Sequence, residues 1–278
     1  MSSFEGIFSH VGFHSVYEKN VKEAVDLASK YGFSSVQIDA TMPQFFPEMY
    51  DSQDRGFIQQ YAKKKDITIK VHAPSEDFSL QTLHIGVQKA IINRFKEVID
   101  FGCDLGAKIV TIHAGNVPVF TVPSVGHVPI DVDFPELYIK VLKAALNELS
   151  DYAKDRILLC IENSPFTNVV MQVLSDMLNY DCKLFLAWDL AKMYRSDGTV
   201  ISDVENFFLS HLDKVRECHL HDRTIEHGHQ IIDQGYVNFK HYLSLLSKYP
   251  VEYTIEVRPI KNAVKSFTTL RKIMANKV

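Results

Sequence analysis

The stretch ILLCIE, residues 157–162, decides how the chain is read. It is short, apolar and rich in strand-forming residues. In an extended strand successive side chains point to opposite faces. Ile157, Leu159 and Ile161 therefore share one face, and Leu158, Cys160 and Glu162 the other. The second face ends in a carboxylate. The same arrangement recurs outward in both directions. In 67–72, Ile67, Ile69 and Val71 oppose Thr68, Lys70 and His72. Val110 and Ile112 oppose Thr111 and His113, and Leu184, Leu186 and Trp188 oppose Phe185, Ala187 and Asp189. Near the end of the chain, Tyr253, Ile255 and Val257 oppose Thr254, Glu256 and Arg258. One face is apolar throughout. The other becomes ionisable at the C-terminal end of each strand.

Strand-like runs are predicted near 8–13, 35–40, 67–72, 108–114, 157–162, 183–189, 215–221 and 251–257. Amphipathic helical stretches separate them, near 19–31, 52–65, 82–104, 135–154, 168–180, 202–213, 237–248 and 262–275. Gly32, Gly102 and Gly106 mark expected helix ends. Eight βα units with no composition shift predict an α/β fold, one (β/α)8 TIM barrel domain spanning residues 1–278. A doubly wound open sheet is the alternative. It would usually carry a glycine-rich phosphate loop after an early strand, and neither GxGxxG nor GxxxxGK[ST] occurs here.

The 278 residues are 46% hydrophobic and 23% charged, which excludes a disordered chain. A formal charge of −4 gives no global signal for nucleic acid or an anionic membrane. Cys103, Cys160, Cys182 and Cys218 are scattered without a CxxC, which favours a reducing compartment. The opening MSSFEGIFSH carries no basic-then-apolar pattern, and no apolar run approaches the length of a membrane span. The expectation is a cytoplasmic protein.

In a barrel, the ionisable strand ends converge on one mouth. They are His72, His113, Glu162, Asp189, His219 (with His221 one step further) and Glu256. Several carboxylates in one cavity repel unless a cation neutralises them. Two Glu, one Asp and one His make a mixed O/N donor set. It suits one divalent ion, Mn²⁺, Zn²⁺, Co²⁺ or Mg²⁺, without choosing among them. Taken singly, each residue has a plainer reading: a hydrogen-bonded histidine, or a glutamate paired with a neighbouring lysine. Repetition on six strands with the right parity favours the metal.

At this point the chain resembles the xylose isomerase-like TIM-barrel superfamily of sugar isomerases and epimerases, to which endonuclease IV is related. YGFSSVQID (31–39), KVHAPSEDFSL (70–80), GAKIVTIHAG (106–115), IEN (161–163), AWDLAK (187–192), CHLHD (218–222) and IEVRP (255–259) carry the resemblance over nearly the whole chain. It implies a metal quartet of Glu162, Asp189, His219 and Glu256, with Glu162 and Glu256 also serving as the catalytic acid/base pair. Against the three-zinc pattern of endonuclease IV, His72, His113 and Glu162 match a site for a second ion. The third site is broken. Lys192 stands where a histidine belongs, and His227-Gly-His229 replaces Asp-x-His. A lysine ammonium is no metal ligand and repels a cation.

The resemblance thus implies an isomerase or epimerase acting on a sugar or small hydroxy-carbonyl compound. A proton would leave the α-carbon, giving a metal-stabilised enediolate. The alternatives are a zinc-dependent DNA-repair phosphodiesterase and a dehydratase on the same site. His72, Lys192, Arg223, His229 and Arg258 are candidate substrate-binding groups, although Lys192 and Arg258 could instead pair with the acids. The loops 41–50 and 115–135 are candidate substrate covers or homo-oligomer contacts. The expected partner is a small molecule, with no nucleic acid and no membrane.

Overall fold

The structure is a computed structural model describing residues 5–75, 77–179 and 183–275. Cys182 and Tyr180, the expected end of the sixth helix, lie outside the described residues, as does the opening Met1–Phe4. The strands are β1 (Val11–Ser15), β2 (Ser35–Asp39), β3 (Thr68–His72), β4 (Ile109–His113), β5 (Val119–Val122), β6 (Gly126–Pro129), β7 (Leu158–Glu162), β8 (Leu184–Asp189), β9 (Val215–Leu220) and β10 (Glu252–Ile255). All but β5 and β6 form a closed parallel barrel, β1-β2-β3-β4-β7-β8-β9-β10 and back to β1. The barrel's helices are α2 (Val21–Tyr31), α3 (Ser52–Lys64), α4 (Ile85–Asp104), α5 (Pro135–Ala153), α6 (Asn168–Leu178), α7 (Ser202–Ser210), α8 (Phe239–Leu246) and α9 (Ile260–Ala275). A short α1 (Glu5–Phe8) precedes them.

Local chemistry sets the boundaries. Asn20, Thr167 and Asn238 cap α2, α6 and α8 through their side chains, and Asp51 forms a capping box with Asp54 on α3. Gly32 ends α2 in the left-handed conformation, φ 74°. Gly102 does not end a helix. It lies inside α4, where an added Cβ would sit 3.0 Å from Val110 and 3.1 Å from Ile157, so its smallness lets α4 approach the barrel. The expected first strand at 8–13 begins later, because α1 runs through Phe8; the shift brings His14 into the barrel. The expected loop 115–135 folds partly into the antiparallel β5–β6 hairpin, turning through Ser124 at φ 67°. Outward strand residues pack on the helices. Trp188 of β8, for example, stacks on Phe208 of α7 with ring centroids 4.8 Å apart.

Inside the barrel, halfway to the mouth, lies a buried ionic belt. Lys70 Nζ is 3.0 Å from Glu217 Oε1, and neither side chain is exposed. Thr254 Oγ1 donates to Glu217 Oε1 at 2.8 Å, and Gln37 Nε2 donates to Oε2 at 3.0 Å. Thr111 donates to Oε2 as well. Lys70 also donates to the Tyr253 carbonyl at 3.2 Å and to Thr254. Burial alone would raise the Glu217 pKa, but Lys70 and His219 outweigh it and hold the carboxyl well below its ordinary 4.5.

A buried charge that loses its partner is expensive. Glu217→Gln and Lys70→Met should each cost about 3–5 kcal/mol in urea denaturation, with the double variant costing less than their sum. Because the Glu217 pKa is depressed on folding, its contribution is complete above about pH 4.5 and is lost as pH falls below that. The acid limb of the stability curve should therefore be shallower in Glu217→Gln.

Candidate functional site

Strand parity delivers the expected groups to the C-terminal mouth. Glu162, Asp189 and His219 are fully buried, Glu256 and His72 nearly so, and His113 mostly so. Glu162 is the hub. Its Oε2 lies 3.0 Å from His113 Nε2, 3.2 Å from His72 Nε2 and 3.3 Å from His219 Nδ1. Its Oε1 accepts from the Lys192 ammonium. Burial would raise the Glu162 pKa, but Lys192, His113 and His219 together hold it well below the carboxylate range. His72 places Nδ1 2.8 Å from the Ala73 carbonyl. With an acceptor beside each ring nitrogen, the charged form of His72 is favoured. Its pKa is raised accordingly, Glu162 overcoming the effect of burial.

His219 is oriented from below. Its Nε2 faces Glu217 Oε2 at 3.5 Å, while Nδ1 faces Glu256 Oε2 at 3.6 Å and Glu162. Glu162 and Glu217 outweigh burial and raise the His219 pKa well above its ordinary 6.5. A cation taking the place of the Nδ1 proton would leave Nε2 facing Glu217, the arrangement of a metal-ligating histidine backed by a carboxylate. Both His219 ring nitrogens and Glu256 Oε2 are buried atoms with no hydrogen-bond partner. Glu162, Asp189 and His219 each offer a ligand atom within 4.8 Å of the others. Hard oxygens, an imidazole nitrogen and partnerless buried atoms fit a divalent cation. Two further groups meet the same spacing: His72, His113 and Glu162; and His221, His229 and Glu256.

Asp189 and Glu256 are held from outside. Asn163 clamps the Asp189 backbone in both directions, at 2.8 and 2.9 Å. Asp189 Oδ2 faces His221 Nε2 at 3.0 Å, and His221 Nδ1 lies 3.0 Å from the His229 amide and 3.1 Å from the Asp222 carbonyl. Arg258 Nη2 donates to Glu256 Oε1 at 3.0 Å and to His14 Nδ1 at 2.6 Å. His14, fully enclosed, is pushed down to about 3 by burial. Taking the Arg258 proton on Nδ1 leaves its Nε2–H facing Asp39 Oδ2 at 3.5 Å.

The candidate substrate groups divide. Arg258 and Lys192 both pair with the acids, and Lys192 lies inside the ring rather than above it. His229 stacks on His221 at 4.2 Å, with its side chain still 41% exposed. Arg223 sits beside them, 3.8 Å from where a Cβ on Gly228 would lie. The loop carrying these residues hangs from one buried carboxylate, Asp222. It accepts the amides of Arg223, Gln234, Gly235 and Val237 at 2.8–3.1 Å. Sequence reading missed Glu217, His14 and Asp222. Inward parity with His219 signalled Glu217; His14 was hidden by the misplaced first strand. A surface cleft of about 620 Å³, lined by Gln59, Asp66, Thr68 and Lys108, lies at the opposite end of the barrel and holds none of these groups.

Residues 25–273 match a family described as the xylose isomerase-like TIM barrel. No curated protein matches the chain by sequence. Among solved structures, a D-tagatose 3-epimerase-like protein superposes with TM-score 0.71 at 19% identity, covering 95% of this chain and 97% of that one. The 3-keto-D-glucoside 4-epimerase of E. coli gives 0.72 at 12%, covering 95% and 99%. An L-ribulose 3-epimerase gives 0.72 at 14%, covering 95% and 94%. At these identities the likeness is one of fold. Among the described residues, no helix is long and apolar enough to cross a membrane.

Asp222→Asn replaces an acceptor-only group with one that offers N–H groups to backbone amides. It should cost about 1.5–3 kcal/mol, the worth of hydrogen bonds to a charged group. Hydrogen exchange should rise across 222–237 while the barrel strands keep their protection.

Proposed function

Because the chain belongs to the xylose isomerase-like TIM barrel family, we propose that it is a divalent-metal-dependent enzyme that isomerises or epimerises a sugar or small hydroxy-carbonyl compound. One observation carries the reading: Glu162, Asp189 and His219 converge, Glu256 Oε2 lies 3.6 Å from His219 Nδ1, and neither of those two atoms has a hydrogen-bond partner. The names of the structurally similar epimerases support the substrate class. Glu162, Asp189, His219 and Glu256 would hold one ion of Mn, Zn, Co or Mg. Bound there, the ion supplies a Lewis acid for negative charge developing on substrate oxygens.

The chain's own residues supply the proton chemistry. Glu162 Oε2 is engaged from two sides, by His72 and His113. Glu256 Oε1 is held by Arg258, and its Oε2 makes no hydrogen bond, lying 3.6 Å from His219 Nδ1. Glu256 is therefore assigned the first proton abstraction from the α-carbon; Glu162, held as a carboxylate, returns a proton only after taking one from a neighbouring donor such as His72. Arg223, His229 and Arg258 orient the substrate's polar groups at the mouth. His72 and His113 steady Glu162 and are the ligands for any second ion. The free cysteines Cys103, Cys160 and Cys218 suit a cytoplasmic setting. The exposed Val119, Phe120 and Val125 of the hairpin are the candidate homo-oligomer contact.

Elemental analysis of untagged protein purified without chelator should give about one divalent ion per chain. In D₂O, with Mn²⁺ added, a panel of ketoses should contain one whose α-carbon gains deuterium. Glu256→Gln should slow that exchange by about 10²–10⁴-fold, the usual worth of a general base, with the fold retained. Unchanged turnover in Glu256→Gln would sink the two-glutamate mechanism. Two or three zinc ions, with cleavage of an abasic-site duplex, would replace it with the phosphodiesterase.

A further inference from the structure

Lys192 is the one ammonium inside the acid ring among the described residues. It follows Asp189 by three positions, in the single turn Ala191–Met193, which begins where the Ala191 and Lys192 amides donate to Asp189 Oδ1 at 2.9 and 3.2 Å. The same carboxylate that anchors the turn thus aims the side chain back at the ring. Lys192 Nζ bonds Glu162 Oε1 and lies 3.5 Å from Asp189 Oδ2. It therefore stands between two members of the quartet, on the oxygens a divalent ion would take.

We infer that Lys192 is a built-in counter-cation that competes with the metal: its ammonium holds the acids together when no ion is bound, and leaves them when one binds. A divalent ion and an ammonium so close together in a buried site repel strongly, and among the described residues Glu162 Oε1 has no second hydrogen-bond donor to replace the ammonium. The neighbouring cations do not duplicate it. Arg258 is tied to Glu256 and His14, and Lys70 lies a layer below with Glu217. Lys192 is a positioning residue in this role, and it sets how tightly, and at what ion concentration, the site is loaded. The inference rests on the metal reading of the quartet.

The test is Mn²⁺ binding by calorimetry to the full chain and to Lys192→Met, which keeps the length and apolar stem but removes the charge. Lys192→Met should bind about ten- to a hundredfold more tightly, a change that a merely structural residue would not produce. In EDTA its melting temperature should fall below that of the parent, and Mn²⁺ should raise it by more. Lys192→Arg, still charged, should show no gain in affinity. Should Lys192→Met not fold, the unaltered protein provides a second measurement: acetylation of Lys192 by a water-soluble amine reagent, read by mass spectrometry with and without Mn²⁺. Expulsion of the ammonium should increase labelling several-fold. Equal or weaker Mn²⁺ affinity in Lys192→Met, or labelling unchanged by Mn²⁺ that demonstrably binds, overturns the inference and leaves the quartet intact. Failure of both proteins to bind Mn²⁺, Zn²⁺, Co²⁺ or Mg²⁺ overturns the inference and the metal site together.

Discussion

Carboxylates that face one another inside a barrel must be matched by positive charge. Glu162, Asp189, Glu256 and, one layer down, Glu217 all lose their water on folding. Each is answered by a cation or a polarised donor: Glu162 by Lys192 and the histidines, Asp189 by His221 and Lys192, Glu256 by Arg258, Glu217 by Lys70. Much of the interior's architecture follows from that matching. The histidines are placed where they meet the acids, and carbonyls and amides behind them orient the rings.

The two layers play different parts. In the lower one every oxygen of Glu217 is saturated by strand residues, so its geometry is rigid. In the upper one some atoms are deliberately left over, His219 Nδ1 and Glu256 Oε2 among them. His219 joins the layers, touching Glu217 with one ring nitrogen and the acids with the other. A rigid base under an incompletely satisfied mouth is how a fold holds reactive groups near a fixed geometry without collapsing them onto one another.

Much of this was legible in the sequence because strands alternate. Parity alone put Glu162, Asp189, His219 and Glu256 on one face, and the C-terminal ends of the strands bring them together. The same rule carried Lys70 inward, although its partner Glu217 went unremarked. What parity cannot supply is where a long flexible side chain ends up. Lys192 has no strand to aim it, so its turn back into the ring depends on the Asp189 cap that no local pattern announces. His14 was lost for another reason: Phe8 reads equally well as strand or helix, and the wrong choice moved the first strand by several residues. The hairpin at 119–129 was hidden because four-residue strands around a Pro-Ser turn give too little periodicity to register.

The belt of Lys70, Glu217, Thr111, Gln37 and Thr254 has a consequence for traffic. Its members are buried and bonded across the barrel from β2, β3, β4, β9 and β10, and they stopper the axis. With the axis closed from below, the C-terminal rim and its βα loops are the side from which a small molecule would meet the acids. Arrival and departure would share that rim, so substitutions in the rim loops would alter residence time, while substitutions beneath the belt would act on stability alone.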